Sequence, residues 1–251
     1  MASFPPDSAV VTAAYPSPNY GPRKDARAPD AIILHYTGME SEDAALKRLC
    51  DPASGVSCHY LIRENGAVLQ LVPESRRAWH AGVSSWAGET DMNSFSIGIE
   101  IANGGHDFGL PAYPDIQIAA LIALCRDIVS RRKIPAHRIL AHSDIAPLRK
   151  RDPGEHFPWE ALAKAGIGPS VVPQPCGDDA PLKVGARGEE VAALQRLLAD
   201  YGYDIGADGI YGKKTDAVVA AFQRHFRPKK VDGMADLSTR ATLRRLIETR
   251  S

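Results

Sequence analysis

The run Ser96-Ile97-Gly98-Ile99-Glu100-Ile101-Ala102 alternates strictly between isoleucine and other residues. In an extended chain successive side chains point to opposite faces, so the three isoleucines share one face while Gly98, Glu100 and Ala102 share the other. This predicts a strand with one face in a core, and it presents the Glu100 carboxylate among neighbours too small to cover it. Around it, Ala31-Ile32-Ile33-Leu34-His35-Tyr36-Thr37 reads as a buried strand with His35 near its C-terminal end. Residues 58–63 and 67–72 are β-prone runs around Glu64-Asn65-Gly66, a hairpin signal because Asn and Gly both tolerate positive φ. Ile116, Ala119, Ile122, Cys125, Ile128 and Val129 recur at helical spacing between Pro114 and Pro135, and residues 138–141 form a further strand ending in His142. Strands mixed with helices, a hairpin included, indicate an α/β domain: a mixed β-sheet flanked by helices.

Pro169, Pro173, Pro175 and Pro181 punctuate residues 169–181, which carry neither period and read as a semi-rigid linker. Beyond it an internal repeat appears: Asp208-Gly209 is followed by Thr215 and Asp232-Gly233 by Thr239, with apolar partners at Val219 and Phe222 and at Leu243 and Leu246. Each copy predicts a turn and then a capped helix, with Ser238 the expected N-cap of the last. The earlier run Val191, Leu194, Leu197, Leu198 and Tyr201 adds a third amphipathic helix. The 251 residues thus divide into an irregular N-terminal arm (1–25), a larger α/β domain (26–168), the linker (169–181) and a small three-helix domain (182–250).

Basic and acidic residues balance at 30 each, which removes the electrostatic footprint of a dedicated nucleic-acid binder. No window approaches the roughly 20 apolar residues needed to span a bilayer. Cys50, Cys58, Cys125 and Cys176 lack Cys-x-x-Cys spacing and are too few for a disulfide framework, so they read as idle or buried thiols. The start, Met1-Ala2-Ser3-Phe4-Pro5-Pro6-Asp7, has no basic region followed by an apolar stretch, and the expectation is a cytoplasmic protein.

His35 alone would read as a structural strand residue. Its company changes that: the segment from Ala141 to Gly154 supplies a second imidazole at a strand end, His142, and a carboxylate ten residues on, Asp152. Two imidazoles and one carboxylate make a catalytic zinc set. Zinc takes such N and O ligands at about 2.0–2.2 Å, and three protein ligands leave a position for water. The ion lowers that water's pKa to near 7 and polarises a carbonyl under attack.

Ile33-Leu34-His35-Tyr36-Thr37, Ala78-Trp79-His80-Ala81-Gly82, Ile99-Glu100-Ile101-Ala102-Asn103 and the segment 142–154 together resemble the type 2 N-acetylmuramoyl-L-alanine amidases, in order, over residues 20–166. Their fold is shared with peptidoglycan recognition proteins. The resemblance implies that His35, His142 and Asp152 bind Zn2+, that Glu100 is the general base and that Lys150 stabilises the oxyanion. It also makes Tyr36, Trp79, His80 and Asn103 candidate substrate contacts. Read without it, Glu100 could be an ion-pair partner, Lys150 a solvated member of the run Arg149-Lys150-Arg151, and His80 a packing residue. His59, His106, His137, His156 and His225 match no ligand position and read as structural. The C-terminal repeat, with Leu182-Lys183-Val184-Gly185 and Asp208-Gly209-Ile210-Tyr211-Gly212, resembles the peptidoglycan-binding domain type 1, which would hold an enzyme near polymer. The implied activity is hydrolysis of the amide between N-acetylmuramic or 1,6-anhydro-N-acetylmuramic acid and L-alanine, with peptidoglycan or soluble muropeptides as substrate. The wall-binding resemblance argues for a periplasmic or wall-associated setting against the cytoplasmic one. A recognition module that binds muropeptides without cutting them is the competing class, and a metal amidase acting on some other acylated peptide is a third.

Overall fold

A computed structural model of the chain describes residues 4–173 and 180–249. The middle of the Pro-rich stretch, Cys176 and Arg250 lie outside the described residues. The elements in chain order are β1 (Ala13–Ala14), β2 (Tyr20–Pro22), β3 (Ala31–Tyr36), α1 (Glu42–Cys50), β4 (Tyr60–Ile62), β5 (Val68–Gln70), β6 (Arg76–Ala78), α2 (Met92–Phe95), β7 (Ser96–Ile101), α3 (Asp115–Arg132), β8 (Ile139–Ala141), α4 (His142–Ile145), α5 (Trp159–Lys164), α6 (Glu189–Tyr201), α7 (Lys213–Phe226) and α8 (Leu237–Glu248). Six strands form one sheet in the order β1-β5-β4-β7-β3-β8. It is mixed: β4, β7, β3 and β8 run parallel, and β5 turns back against β4.

The alternation in the sequence decides which face of this sheet does what. Ile97, Ile99 and Ile101 of β7 and Ile32 and Leu34 of β3 lie in one apolar cluster with Ile118, Leu121, Leu124 and Ile128 of α3. Each such side chain contributes roughly 1.5–3 kcal/mol by leaving water. Ala31 and Ile33 of β3 face the other way, and His35 and Glu100 follow on that opposite face by the same period of two. Among the described residues no helix is long and apolar enough to cross a membrane.

Four details differ from the sequence reading. First, α3 buries Gln117, Ile118, Leu121, Leu124, Cys125 and Ile128, while Ile116 is exposed and Ala119 faces solvent. A row spaced strictly by three drifts around a helix of 3.6 residues per turn, so the predicted stripe leaves the buried face toward its N-terminal end. Second, Asn65 does not take positive φ; its Oδ1 accepts from the Ala67 backbone N at 3.0 Å, and Gly66 alone of the turn is left-handed, at φ 83°. The hairpin is therefore closed by a glycine bulge, not by the mirror-image Asn-Gly turn. Third, the N-terminal arm is not wholly irregular: β1 adds to β5 in parallel and β2 pairs antiparallel with β6. Its prolines hid this, yet edge strands tolerate proline because one side of the ladder is free. Fourth, the N-cap of α8 is Asp236, which accepts from the Thr239 backbone N, and Ser238 lies inside the first turn; α7 has no side-chain cap.

The C-terminal repeat has a physical basis. The buried Gln195 side chain donates to Asp208 Oδ1, Ile210 O and Thr215 Oγ1 and accepts from Gly209 N. Gln223 does the same one unit later, with Asp232, Met234, Thr239 and Gly233. Each helix thus locks the turn that follows it by satisfying that turn's polar groups from inside the core. The helices also pack directly on the α/β layer. Tyr203 sits edge-on to Trp86 with ring centroids 4.9 Å apart, the His225 ring stacks on Trp159 at 3.7 Å, and one apolar cluster joins Ile33, Leu140 and Ile145 to Val191, Leu198 and Phe222.

Candidate metal centre

The C-terminal ends of β3, β7 and β8 lie side by side, the position where open α/β sheets bind ligands. In the β3–β7 register His35 is directly opposite Glu100. His142 follows β8, but as the first residue of α4 and not as a strand residue, because the Asp144 carboxylate accepts from Ala141 N at 2.8 Å and starts a helical turn there. The same turn fetches the third group: Ser143 N donates to the Asp152 carbonyl at 3.0 Å.

His35 Nδ1, His142 Nδ1 and Asp152 Oδ2 make a triangle with sides of 2.9, 2.9 and 3.1 Å. All three residues are buried. His142 Nε2 lies 3.0 Å from the Ala81 carbonyl, which can only accept, so the neutral imidazole carries its proton there and points a lone pair from Nδ1 into the triangle. His80 Nε2 faces Ser96 Oγ, whose own proton goes to Met92 O, so His80 Nδ1 is left to accept from His35 Nε2 at 3.0 Å. Three electron-rich atoms, desolvated and in contact, repel one another unless a cation lies among them, and two imidazole nitrogens with one carboxylate oxygen suit a divalent ion that keeps a position open to a cleft. The residues present fit a metal.

The electrostatics hold His35 and Asp152 in ligating form. Burial, followed by the neighbouring His142, lowers the His35 imidazole to about 4. Burial would raise the Asp152 carboxyl, but the His142 and His35 imidazoles outweigh it and keep it well below the usual range. A neutral imidazole and an ionised carboxylate are the states that bind metal. Glu100 is pushed the other way: burial first, then the Asp152 charge, raise its carboxyl well above the ordinary value, and the Lys150 ammonium pulls it partly back. Glu100 Oε2 is buried without a hydrogen-bond partner, and among the described residues Glu100 makes no ion pair. That leaves an unpaired carboxyl oxygen in the same cleft as the triangle.

These groups line a cleft of about 200 Å³, with Tyr36, Trp79, His80 and Lys150 on its walls. The three members of the basic run part company. Arg149 donates to the Ala81 and Val83 carbonyls, Arg151 lies 3.6 Å from the exposed Asp107, and Lys150 turns into the cleft. The Tyr36 hydroxyl donates to His106 Nδ1 at 3.0 Å, and His106 Nε2 donates to Glu155 at 2.9 Å, a role for His106 that the sequence did not show. Asn103 does not line the cleft: its Nδ2 donates to Pro111 O and its Oδ1 accepts from Gly105 N, so both ends tie down a loop. Thr37, from the first motif, also lines the cleft, and Met39, Ala45, Arg48, Leu49, Val56 and Ser57, which stood in no motif, complete the walls.

His80 owes its place to Gly98. A Cβ there would lie 2.3 Å from His80 Cγ. Gly98→Ala should therefore displace the ring that accepts from His35, and the expected result is a loss of about 1–3 kcal/mol in stability together with a 10–100-fold weaker metal affinity. Thermal melts and chelator competition check it; unchanged metal affinity would show that His80 does not orient His35.

Comparison with known proteins follows the same lines. The family model described as N-acetylmuramoyl-L-alanine amidase matches residues 25–155, and a peptidoglycan binding domain model matches residues 187–243. The N-acetylmuramoyl-L-alanine amidase AmiD of Escherichia coli K12 is 41% identical over 230 residues, covering 86% of this chain and 82% of that protein. The 1,6-anhydro-N-acetylmuramyl-L-alanine amidase AmpD of Citrobacter freundii is 37% identical over 172 residues, covering 62% of this chain and 89% of that one. The structure of E. coli AmiD in complex with the substrate anhydro-N-acetylmuramic acid-L-Ala-D-gamma-Glu-L-Lys superposes with a TM-score of 0.76 at 38% identity, covering 89% of this chain and 90% of that chain.

Proposed function

The chain belongs to the N-acetylmuramoyl-L-alanine amidase family, and on that premise we propose that it hydrolyses the amide between N-acetylmuramic or 1,6-anhydro-N-acetylmuramic acid and L-alanine, using zinc held by His35, His142 and Asp152. The observation that carries this reading is the metal triangle with the Glu100 carboxylate opposite His35 in the same cleft. Zinc bound there supplies Lewis-acid polarisation of the scissile carbonyl and acidifies the attacking water.

The protein's own groups carry the proton. Glu100 takes it from the water as oxygen attacks the carbonyl carbon, then returns it to the departing nitrogen as the C–N bond breaks; the products are a carboxylate and a free L-alanine amine. The Lys150 ammonium on the cleft wall stabilises the negative charge that develops on the carbonyl oxygen. Tyr36 and Trp79 contact the substrate, and the helical unit at residues 182–250 binds peptidoglycan, raising the effective concentration of polymer at the cleft. The complete ligand set with an adjacent base speaks for catalysis over a recognition module, which needs neither.

Two substrate pools share this chemistry: soluble anhydromuropeptide, which goes with a cytoplasmic setting, and polymeric wall, which goes with a wall-associated one. Mass spectrometry of products from both substrates, each with a chelator control, tests the proposal. Chelator-sensitive release of peptides beginning with L-alanine is expected, from the soluble substrate alone for a recycling enzyme and from intact sacculi for a wall-remodelling one. Release from neither would leave the recognition module as the reading.

A further inference from the structure

The helical unit reaches the back of the metal triangle. Asp144 is 1% exposed and stands two residues beyond His142 on the same short turn, α4. Its carboxylate accepts three hydrogen bonds: from Ala141 N at 2.8 Å, from His225 Nδ1 at 2.7 Å and from the Tyr203 hydroxyl at 2.7 Å. Only the first donor is local. The other two come from the helical unit, 81 and 59 residues further along the chain. Both are fixed by packing: the His225 ring is stacked between Trp159 and Phe226, and Tyr203 sits against Trp86.

α4 carries more than His142. Through Ser143 N it also holds the Asp152 carbonyl, so one turn of helix sets two of the three ligands. A buried carboxylate must be matched by donors, and removing one leaves an unpaired charge that the turn relieves by shifting. Shifts of a few tenths of an ångström in a ligand-bearing turn are felt by the metal, because outer partners orient the ligands.

We propose that Tyr203 and His225 are positioning residues for the metal centre: acting through Asp144, they fix the turn that carries His142 and braces Asp152, so the helical unit sets metal affinity in addition to any binding of polymer. The proposal rests on the assignment of His142 and Asp152 as ligands. It makes a statement that a tethered wall-binding module would not: damage at this seam harms the reaction even on a small soluble substrate.

The test uses the full chain with Tyr203→Phe, with His225→Leu and with both, beside Leu243→Ala, an apolar truncation inside the helical unit that removes no donor to Asp144. Zinc affinity is measured by chelator competition, apo-protein stability by thermal melting, and turnover on soluble anhydromuropeptide at saturating zinc. The expected result is a 10–100-fold loss of zinc affinity in the seam variants, with a lower kcat and little change in KM, while Leu243→Ala loses stability and keeps wild-type affinity. Seam variants that melt earlier but bind zinc as wild type does would overturn the proposal and leave a purely structural contact. Wild-type protein that fails to take up stoichiometric zinc would overturn the ligand assignment itself, a result distinguishable from the first.

Discussion

His142→Ala is expected to lose both stoichiometric zinc and turnover. The imidazole provides one corner of a triangle whose sides are 2.9–3.1 Å, and its removal leaves His35 and Asp152, two ligands where a catalytic divalent ion takes three. Groups that only orient a ligand are worth about 10–100-fold in affinity, so deletion of the ligand itself must exceed the effect of Gly98→Ala. The fold should survive, because the side chain's one remaining bond is to the Ala81 carbonyl and β8 pairs with β3 through backbone groups alone. Metal analysis after dialysis, alongside turnover, checks this. A variant that dialyses with one zinc per chain and turns over normally would remove His142 from the ligand set.

The parts of this arrangement that were legible in the sequence are those encoded by local period. Alternation in Ser96–Ile101 placed Glu100 on the face away from the isoleucine core, and the structure puts it there, opposite His35. Helical spacing found α3 but misjudged its phase, since a three-residue step cannot hold one face over five turns. What stayed illegible depends on contacts distant in sequence. His106 takes its role from Tyr36, 70 residues away, and from Glu155. Asp144 lies inside the motif that supplied His142 and Asp152, yet nothing local marks it as the seat of two donors from the helical unit. Asn103, which the resemblance offered as a substrate contact, lies beyond the end of β7, where a tight loop turns it to backbone partners.

Glu100 should separate metal binding from proton transfer. Its carboxylate is no member of the triangle, and its Oε2 is buried and unpaired, so replacing Glu100 with Gln or Ala removes a proton carrier and leaves every ligand in place. The buried site and the Asp152 charge raise its proton affinity in the free protein, while Lys150 lowers it. A bound dication acts in the same sense as Lys150 and keeps the group able to accept a proton at neutral pH. General-base catalysis is worth about 10²–10⁴-fold, so kcat should fall by that factor in both variants with zinc stoichiometry unchanged. Glu100→Gln is the sharper of the two, because it keeps the side chain's volume on the small-residue face beside Gly98 and so isolates the lost proton acceptor from any collapse of the cleft. Loss of zinc in Glu100→Gln would place Glu100 among the metal ligands, and near-normal kcat with full zinc would move the base elsewhere.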